Sequence, residues 1–174
     1  SSLLLKAAME TLGPHRVLAL FAQSELLKSR EIERVRHWAV HNGYGATLEL
    51  EVLAVEPLRW PRFVENSPER CYLCKRAIYE QFQQHAALRG FTTLADGTNL
   101  DDLQAHRPGR RAIIELGVCT PLADAGLSKV DVRALGKALG LSNWEHPSAS
   151  CLATRISTGV PITEGDLRWI EEAE

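Results

Sequence analysis

Three cysteines in this sequence have the spacing and the neighbours that sulfur or metal chemistry requires. Cys71 and Cys74 form a Cys-Tyr-Leu-Cys pair, and Cys151 lies in the segment Ser-Cys-Leu-Ala-Thr-Arg that ends at Arg155. A two-residue gap lets both thiols of the pair face one point, as a metal ion, an iron–sulfur cluster or a redox disulfide requires. The sequence therefore predicts a site of sulfur chemistry, and the role of Cys151 decides among these alternatives.

The number of candidate ligands favours iron and sulfur over zinc. A structural zinc site normally needs four ligands, and neither a second Cys-x-x-Cys nor a pair of histidines lies near the first pair. Three thiols suit a cluster that keeps one open coordination position. We expect Cys119 to be a small buried hydrophobic residue rather than a fourth ligand. The isolated His85 and His106 are not expected to bind metal.

A second candidate site is the segment from Asp96 to Asp102, which concentrates short polar side chains directly after a predicted strand. Gly97 permits a tight turn, and its neighbours can hold a phosphate, a ribose or a cation. The same residues could instead form an Asx-rich turn that caps the next element. Spacing alone leaves both interpretations open.

Three arginines near a turn, Arg107, Arg110 and Arg111, form a candidate anion site. Their guanidinium groups can bind a phosphate or a carboxylate through paired hydrogen bonds, although a solvated basic turn is the simpler alternative. Glu115 follows among apolar residues. It could pair with the arginines, ligate a bound ion or occupy an ordinary surface position on a short strand.

Helices and strands that alternate along the chain must position these residues. The apolar run 17–22 predicts a strand buried on both faces, the alternating run 48–52 predicts a half-buried strand, and 92–95 predicts the next strand. Helical spacing or capping signals predict helices at 3–12, 29–41, 72–88, 128–139 and from 163 onward. This order predicts an α/β fold with an open, mainly parallel sheet and helices on both faces.

In such a sheet, sites form at the carboxyl ends of the strands. Ser24 follows the first predicted strand and Asp96 follows the last. We therefore expect the segments that begin at these residues to converge.

Composition and charge narrow the class of protein. With 174 residues, 45% of them hydrophobic and 24% charged, the chain can form one globular domain. A net charge of −2 gives no general attraction to nucleic acid, which would require a local basic patch. No apolar run approaches the roughly 20 residues that span a bilayer, and the N-terminus lacks the pattern of a secretory signal. We expect a cytoplasmic protein, whose Cys-x-x-Cys pair is a ligand or catalytic pair.

Taken together, the motifs resemble the LarE family of ATP-dependent sulfur transferases, which are related to the PP-loop ATP pyrophosphatases. The resemblance extends over essentially the whole chain, through the segments 66–75, 96–102, 107–109, 115–117, 126–129 and 149–155. Each motif is weak alone, and their combination in this order is specific. The resemblance implies a Rossmann-like domain of the adenine nucleotide alpha hydrolase type at 1–162, followed at 163–174 by the start of a C-terminal region.

The resemblance also implies a set of binding residues. In this family a Ser-Gly-Gly-x-Asp-Ser loop binds the ATP phosphates at the N-terminus of the first helix, and only its last serine corresponds to a residue here. ATP with Mg²⁺ would be bound by Ser1, Ser24, Asp96, Gly97, Thr98 and Asn99. The substrate or an ion would be bound by Asp101, Asp102, Arg107, Arg110 and Glu115.

The reaction that the resemblance implies belongs to synthesis of the nickel-pincer cofactor of lactate racemase. ATP would adenylate a carboxylate of pyridinium-3,5-biscarboxylic acid mononucleotide, and a sulfur nucleophile would displace AMP. The family has two sulfur sources. A cysteine at the position of Cys151 is converted to dehydroalanine, or three cysteines, here Cys71, Cys74 and Cys151, hold a [4Fe-4S] cluster that carries an extra sulfide.

The Cys71 and Cys74 pair favours the cluster, because a single sacrificial cysteine would not require it. Arg155 is expected to stabilise a thiolate or the acyl phosphate. Cys119 stands where family members often have arginine, so one contact to the substrate phosphate could be absent.

Two other functions remain open at this stage. A tRNA-thiolating enzyme would keep the fold and the ATP chemistry, but the weak overall basicity argues against it. A zinc-stabilised nucleotide-binding module would bind ATP without cleaving it. For the favoured function we expect a small mononucleotide as substrate and a homo-oligomeric protein.

Overall fold

The computed structural model describes residues 1–104, 108–147 and 150–174. The chain begins with α1 (Ser2–Leu12), β1 (Leu18–Gln23), α2 (Ser29–His41) and β2 (Glu49–Ala54). It continues with α3 (Pro61–Val64), α4 (Arg70–Leu88), α5 (Leu100–Gln104), α6 (Gly109–Glu115), α7 (Pro121–Asp124), α8 (Lys129–Ala138) and α9 (Glu164–Ala173). Within these described ranges, no helix is both long and apolar enough to cross a membrane.

Strands β1 and β2 form a parallel pair, with Leu18 opposite Glu49 and Gln23 opposite Ala54. The α2 helix connects them, since parallel strands need a crossover rather than a tight turn. This arrangement confirms an α/β fold with a parallel sheet. In the described part of the chain, the regular sheet has these two strands, so the more extended sheet expected from the sequence is not seen.

The expected strand at 92–95 is reduced to one parallel bridge between Ala95 and Cys119. Asp96 N–H donates to the Cys119 carbonyl, and Cys119 N–H donates to the Leu94 carbonyl, each at 2.9 Å. Thr92, Thr93 and Ala95 are exposed, so this short segment has little apolar surface with which to join a sheet. The bridge nevertheless places Asp96 at the carboxyl end of an extended segment, as the sequence predicted.

Two other expectations need correction. Glu115 is the last residue of helix α6 and does not lie on a strand. Cys119 is exposed and is not a buried hydrophobic residue, because the bridge uses its backbone and leaves its side chain in solvent. The expected Ser128 cap of α8 is confirmed, since Ser128 and Asp131 form a reciprocal capping box.

The largest apolar cluster lies beneath the segment that carries Cys151. It is formed by the buried side chains of Leu26, Phe63, Leu152, Ala153, Ile162 and Leu167. Phe63 and Leu152 are almost fully buried, and burial of such a side chain contributes about 1.5–3 kcal/mol. The cluster therefore fixes the backbone that directly follows Cys151, and it includes Leu167 from α9.

Candidate active site

Helix α4 connects the two regions in which the sequence predicted chemistry. Its first turns carry Cys71 and Cys74, and Lys75 and Tyr79 follow on the same helix. Residues four apart lie on the same face, one turn or about 6 Å along the axis. One rigid element therefore positions both the cysteine pair and the side chains that bind Asp96.

The three expected cysteines are brought together. Burial, and then the neighbouring Cys151 and Cys71, raise the pKa of the Cys74 thiol to about 12. Burial also raises the pKa of Cys151, against the lowering effect of the Ala153 backbone N–H and the Arg70 guanidinium. Both half-buried thiols pack against the apolar cluster, whereas Cys71 is exposed. We call Cys71, Cys74 and Cys151 the thiol pocket.

The thiol pocket supplies the donor atoms that a [4Fe-4S] cluster uses. Among the residues that the structure describes, however, no three His, Cys, Asp or Glu side chains have the mutual spacing of a metal site. The three thiols would therefore have to move closer together before all of them could bind one cluster.

We expect Cys74 in the reduced, metal-free protein to react with iodoacetamide on the order of 100-fold more slowly than Cys119 at pH 8, because the thiolate is the nucleophile. The rate at Cys74 should continue to increase up to a pH of about 12. Since the pKa is raised on folding, the stability linked to this proton is present below the ordinary pKa of 9.0 and is lost as the pH rises towards about 12. Peptide mass mapping after timed alkylation measures both rates, and equal rates would contradict the buried, neutral thiol.

A fully buried asparagine joins the thiol pocket to the chain around Cys151. Asn66 has no exposed surface and adopts a left-handed backbone with φ of 54°. Its side-chain Nδ2 donates to the carbonyls of Ser157 at 2.9 Å and Val160 at 2.8 Å. Gly159 N–H donates to the Asn66 carbonyl at 2.9 Å. Asn66 therefore holds the 157–160 turn beside the start of α4.

Arg70 completes this connection. Its Nη1 donates to the Asn66 side-chain oxygen and, at 2.9 Å, to the carbonyl of Ala153. The same guanidinium lowers the pKa of both Cys74 and Cys151. Arg70 thus positions the Cys151 segment and favours a thiolate there. We call Asn66 and Arg70 the clamp.

Asp96 lies at the other end of the same face of α4. One of its oxygens accepts from Tyr79 Oη at 2.7 Å and from Lys75 Nζ at 3.2 Å, and the other accepts from Thr98 N–H at 2.9 Å. Burial opposes ionisation, but Thr98, Tyr79 and Lys75 together lower the pKa of Asp96. Asp96 is therefore an oriented carboxylate within a half-buried loop.

The loop after Asp96 touches the start of α1. A Cβ atom on Gly97 would lie 2.2 Å from Ser1 Cβ and 3.0 Å from Ser1 N, so only glycine permits this approach. Thr98 is buried beside it. The structure thus brings together two segments that the sequence assigned to one nucleotide site, Ser1 and the residues after Asp96.

Asp101 and Asp102 are used in helix caps. Asp101 Oδ2 accepts from Lys129 N–H, at the start of α8, at 2.8 Å. Asp102 Oδ2 accepts from Asn99 N–H at 3.1 Å, and Asn99 Oδ1 accepts from Asp102 N–H at 3.2 Å. These bonds match the capping alternative that the sequence left open.

The basic turn at the start of α6 is paired largely within the protein. Arg111 binds Glu69 at 2.5 Å, contacts Glu115 at 3.4 Å and lies 3.5 Å from the centre of the Tyr72 ring. Tyr72 Oη donates to Glu115 at 2.6 Å. Glu115 is thus an ion-pair partner of Arg111, which matches one of its three expected roles. Arg110 donates to the Leu103 carbonyl at 2.9 Å.

The remaining predicted residues lie apart from this network. Arg107 falls outside the described residues. Ser24 forms the turn after β1, where its Oγ accepts from Leu26 N–H at 3.3 Å. Arg155 lies in the short 3₁₀ turn Leu152–Arg155 that follows Cys151, and its Nη1 donates to Ser150 Oγ.

Sequence reasoning missed four residues of this site: Asn66, Arg70, Lys75 and Tyr79. Lys75 and Tyr79 could have been found from their four-residue spacing on the helix that begins with the cysteine pair. The clamp residues stand in the 66–75 motif, but their roles gave no such signal, because their backbone partners lie more than 80 residues further along the chain.

No family model matches the chain. It is 34% identical over all 174 residues to an uncharacterized protein of Synechocystis, and it covers 63% of that protein. It is 31% identical over 177 aligned positions to the pyridinium-3,5-bisthiocarboxylic acid mononucleotide synthase of Lactiplantibacillus plantarum, of which it covers 62%. A third relative, an uncharacterized protein of Methanocaldococcus jannaschii, is 35% identical over 136 residues, which are 51% of its length. The chain therefore spans less than two thirds of each of these relatives.

Proposed function

We propose that this protein is an ATP-dependent sulfur transferase. The similarity of the whole chain to the Lactiplantibacillus synthase supports this proposal and agrees with the resemblance to the LarE family. One observation carries the proposal. Cys71 and Cys74 begin the same helix whose next turns hold Asp96 and its loop against Ser1. Arg70 on this helix also binds the Ala153 carbonyl, two residues after Cys151, so that one rigid element connects the thiol pocket with a candidate nucleotide loop.

The proposed reaction has two steps. A substrate carboxylate attacks the α-phosphorus of ATP, so that pyrophosphate leaves and an acyl adenylate forms. A sulfur nucleophile then attacks the acyl carbon, and AMP leaves with the electron pair of the broken C–O bond. The proposed substrate is a pyridinium dicarboxylate mononucleotide, as the name of the relative suggests.

Two alternative sulfur sources within the thiol pocket are proposed, and the cluster requires the three thiols to move closer together. If Cys151 is the source, its thiolate forms a thioester. Loss of a proton from its Cα and cleavage of its Cβ–S bond then release the thiocarboxylate and leave dehydroalanine. A cluster would be held by the three thiols of the pocket and would supply a bound sulfide. In either case the clamp orients Cys151, and the Arg70 charge favours the anionic sulfur.

For the nucleotide we propose that Mg²⁺-ATP binds where Ser1, Gly97 and Thr98 meet. Asp96 would orient this loop, since Lys75 and Tyr79 hold its carboxylate in place. Residues 1–162 would form the nucleotide domain. Cys151 would then lie on a segment tied to the start of α4, within the same unit as the activated carboxylate.

The full-length protein, given Mg²⁺-ATP and the pyridinium dicarboxylate mononucleotide, should release pyrophosphate and form a thiocarboxylate in a single turnover. Pyrophosphate that appears only with tRNA would favour tRNA thiolation instead. ATP binding without any pyrophosphate would favour the nucleotide-binding module. Iron and acid-labile sulfide, measured after anaerobic reconstitution, distinguish the two sulfur sources.

We expect Gly97→Ala to weaken ATP binding by about tenfold or more, because the added Cβ would force the loop away from Ser1. Gly165→Ala is the matched control, since a Cβ there has its nearest neighbour at 3.7 Å. Calorimetric titration of both variants with ATP measures the effect. If Gly97→Ala binds ATP with wild-type affinity, the loop after Asp96 is not part of the nucleotide site.

A further inference from the structure

A basic cavity lies beside the Cys151 segment and has no role in the reaction described above. Its volume is about 240 Å³, and four cationic side chains line it: Lys28, Arg30, Arg34 and Arg155. Ser150, directly before Cys151, is also on its wall, together with one carboxylate, that of Glu31. The lining is therefore strongly positive in net charge and adjoins the sulfur site through the residue next to Cys151.

The cavity region already binds a carboxylate from the protein itself. The Glu174 carboxylate forms ion pairs with Lys28 Nζ at 2.5 Å and with Arg155 Nη2 at 2.6 Å. Arg155 Nε also donates a hydrogen bond to this carboxylate at 2.7 Å. Lys28 keeps only 12% of its side chain exposed in this contact. Two of the four cations are thus arranged to bind an anionic oxygen group.

The other two cations are only partly neutralised. Arg34 binds Glu31 at 2.5 Å, and Arg30 lies 4.0 Å from the same Glu31. One carboxylate is shared by two guanidinium groups, so an excess of positive charge remains after Glu174 is bound. A dianion would compensate this charge more completely than the single carboxylate of Glu174.

We propose that this cavity binds the phosphate group of the mononucleotide substrate and that Glu174, which pairs with two of the lining cations, competes with the phosphate for them. The proposal rests on the proposed function, because it assigns a subsite to that substrate. Arg155 would then bind the phosphate, and its bond to Ser150 would link phosphate binding to the position of Cys151.

The size of the cavity agrees with an end group rather than a whole ligand. Sites that enclose drug-sized molecules have volumes of about 300–1,000 Å³. A cavity of about 240 Å³ is large enough for a phosphate and too small for the whole mononucleotide. Arginine suits this role, because its planar donors match phosphate oxygens in pairs.

The test compares two probes in the full-length protein without ATP: nicotinic acid mononucleotide and nicotinic acid riboside, which lacks the phosphate. Calorimetry should show that Lys28→Ala and Arg34→Ala each weaken binding of the mononucleotide about tenfold, or about 1.4 kcal/mol. Riboside binding should not change. Glu174→Gln should strengthen mononucleotide binding severalfold, because it removes the competing charge. Arg168→Ala, which removes an exposed arginine from α9 outside the cavity, is the control.

Three results would overturn the proposal: no binding of the mononucleotide by the wild-type protein, unchanged affinity in Lys28→Ala and Arg34→Ala, or equal losses for riboside and mononucleotide. The last result would assign the cavity to a carboxylate. Binding is measured without turnover, so the two proposals fail separately. If Lys28→Ala and Arg34→Ala weaken mononucleotide binding but the wild-type protein forms no thiocarboxylate, the proposed phosphate site stands and the proposed sulfur-transferase function is refuted. If the wild-type protein forms thiocarboxylate but both variants bind the mononucleotide with wild-type affinity, the function stands and the proposed phosphate site is refuted.

Discussion

Cys151→Ala should abolish thiocarboxylate formation while pyrophosphate release continues. Carboxylate activation uses ATP and the Asp96 loop, whereas the second step needs the sulfur of the thiol pocket. Removal of a reacting nucleophile lowers turnover by about a thousandfold or more. Pyrophosphate and thiocarboxylate, measured in the same single-turnover reaction, separate the two steps.

The matched control for this variant is Cys119→Ala. Cys119 is exposed, and its backbone rather than its thiol forms the bridge to Ala95, so the substitution should leave both products at wild-type levels. Thiocarboxylate formed by Cys151→Ala at the wild-type yield would exclude Cys151 from sulfur transfer.

Cys71→Ala and Cys74→Ala then identify the source. A cluster requires all three thiols, so either substitution should remove both the bound iron and the thiocarboxylate. A sacrificial Cys151 requires neither, so product formation should persist, with dehydroalanine found at position 151. Cys74→Ala also removes packing, because the half-buried Cys74 thiol contacts the apolar cluster, whereas Cys71 is exposed.

Asn66→Ala should lower the free energy of unfolding by about 3–8 kcal/mol. The change leaves the carbonyls of Ser157 and Val160 without their partner, and each lost buried bond costs about 1–3 kcal/mol. Alanine at a φ of 54° adds about 1–2 kcal/mol of backbone strain. Thermal denaturation should show a midpoint lower by roughly 10 °C.

Asn66→Gly separates the two causes. Glycine adopts the left-handed backbone at little cost but makes none of the side-chain bonds. Its unfolding free energy should therefore lie between those of the wild type and Asn66→Ala. If both variants unfold within about 0.5 kcal/mol of the wild type, as ordinary surface changes do, the clamp does not stabilise the Cys151 segment.

Local signals in the sequence predicted the local structure well. Ser128 and Asp131 indicated a helix start, and both sides of the capping box are formed. The apolar run 17–22 predicted a strand that the structure places at Leu18–Gln23. In each case the determining contacts lie within a few residues, so spacing along the chain carries the information.

Contacts between distant segments were not predictable in this way. The 92–95 segment has residues typical of strands, but pairing depends on a partner near Cys119, and only one bridge forms. Asn66 was visible in the sequence as part of a motif. Its burial and its bonds to Ser157 and Val160 arise only when the 150–162 segment folds back onto the start of α4.

The candidate site shows the same division. The two-residue gap between Cys71 and Cys74 predicted that these thiols act together. That Cys151 lies near them followed from the family resemblance, and Cys74 and Cys151 pack against the same apolar cluster. The basic cavity gave no sequence signal, since Lys28 directly precedes α2, Arg34 lies on α2 and Arg155 lies far along the chain.

The central claim is that the transferred sulfur leaves from the thiol pocket. The most direct measurement is the sulfur balance of the protein in a single turnover without added sulfide, with cysteine and acid-labile sulfide determined before and after. The account predicts that the protein loses one sulfur for each thiocarboxylate formed, from Cys151 or from labile sulfide. Thiocarboxylate formation by a protein whose cysteine and labile sulfide contents stay unchanged would contradict it.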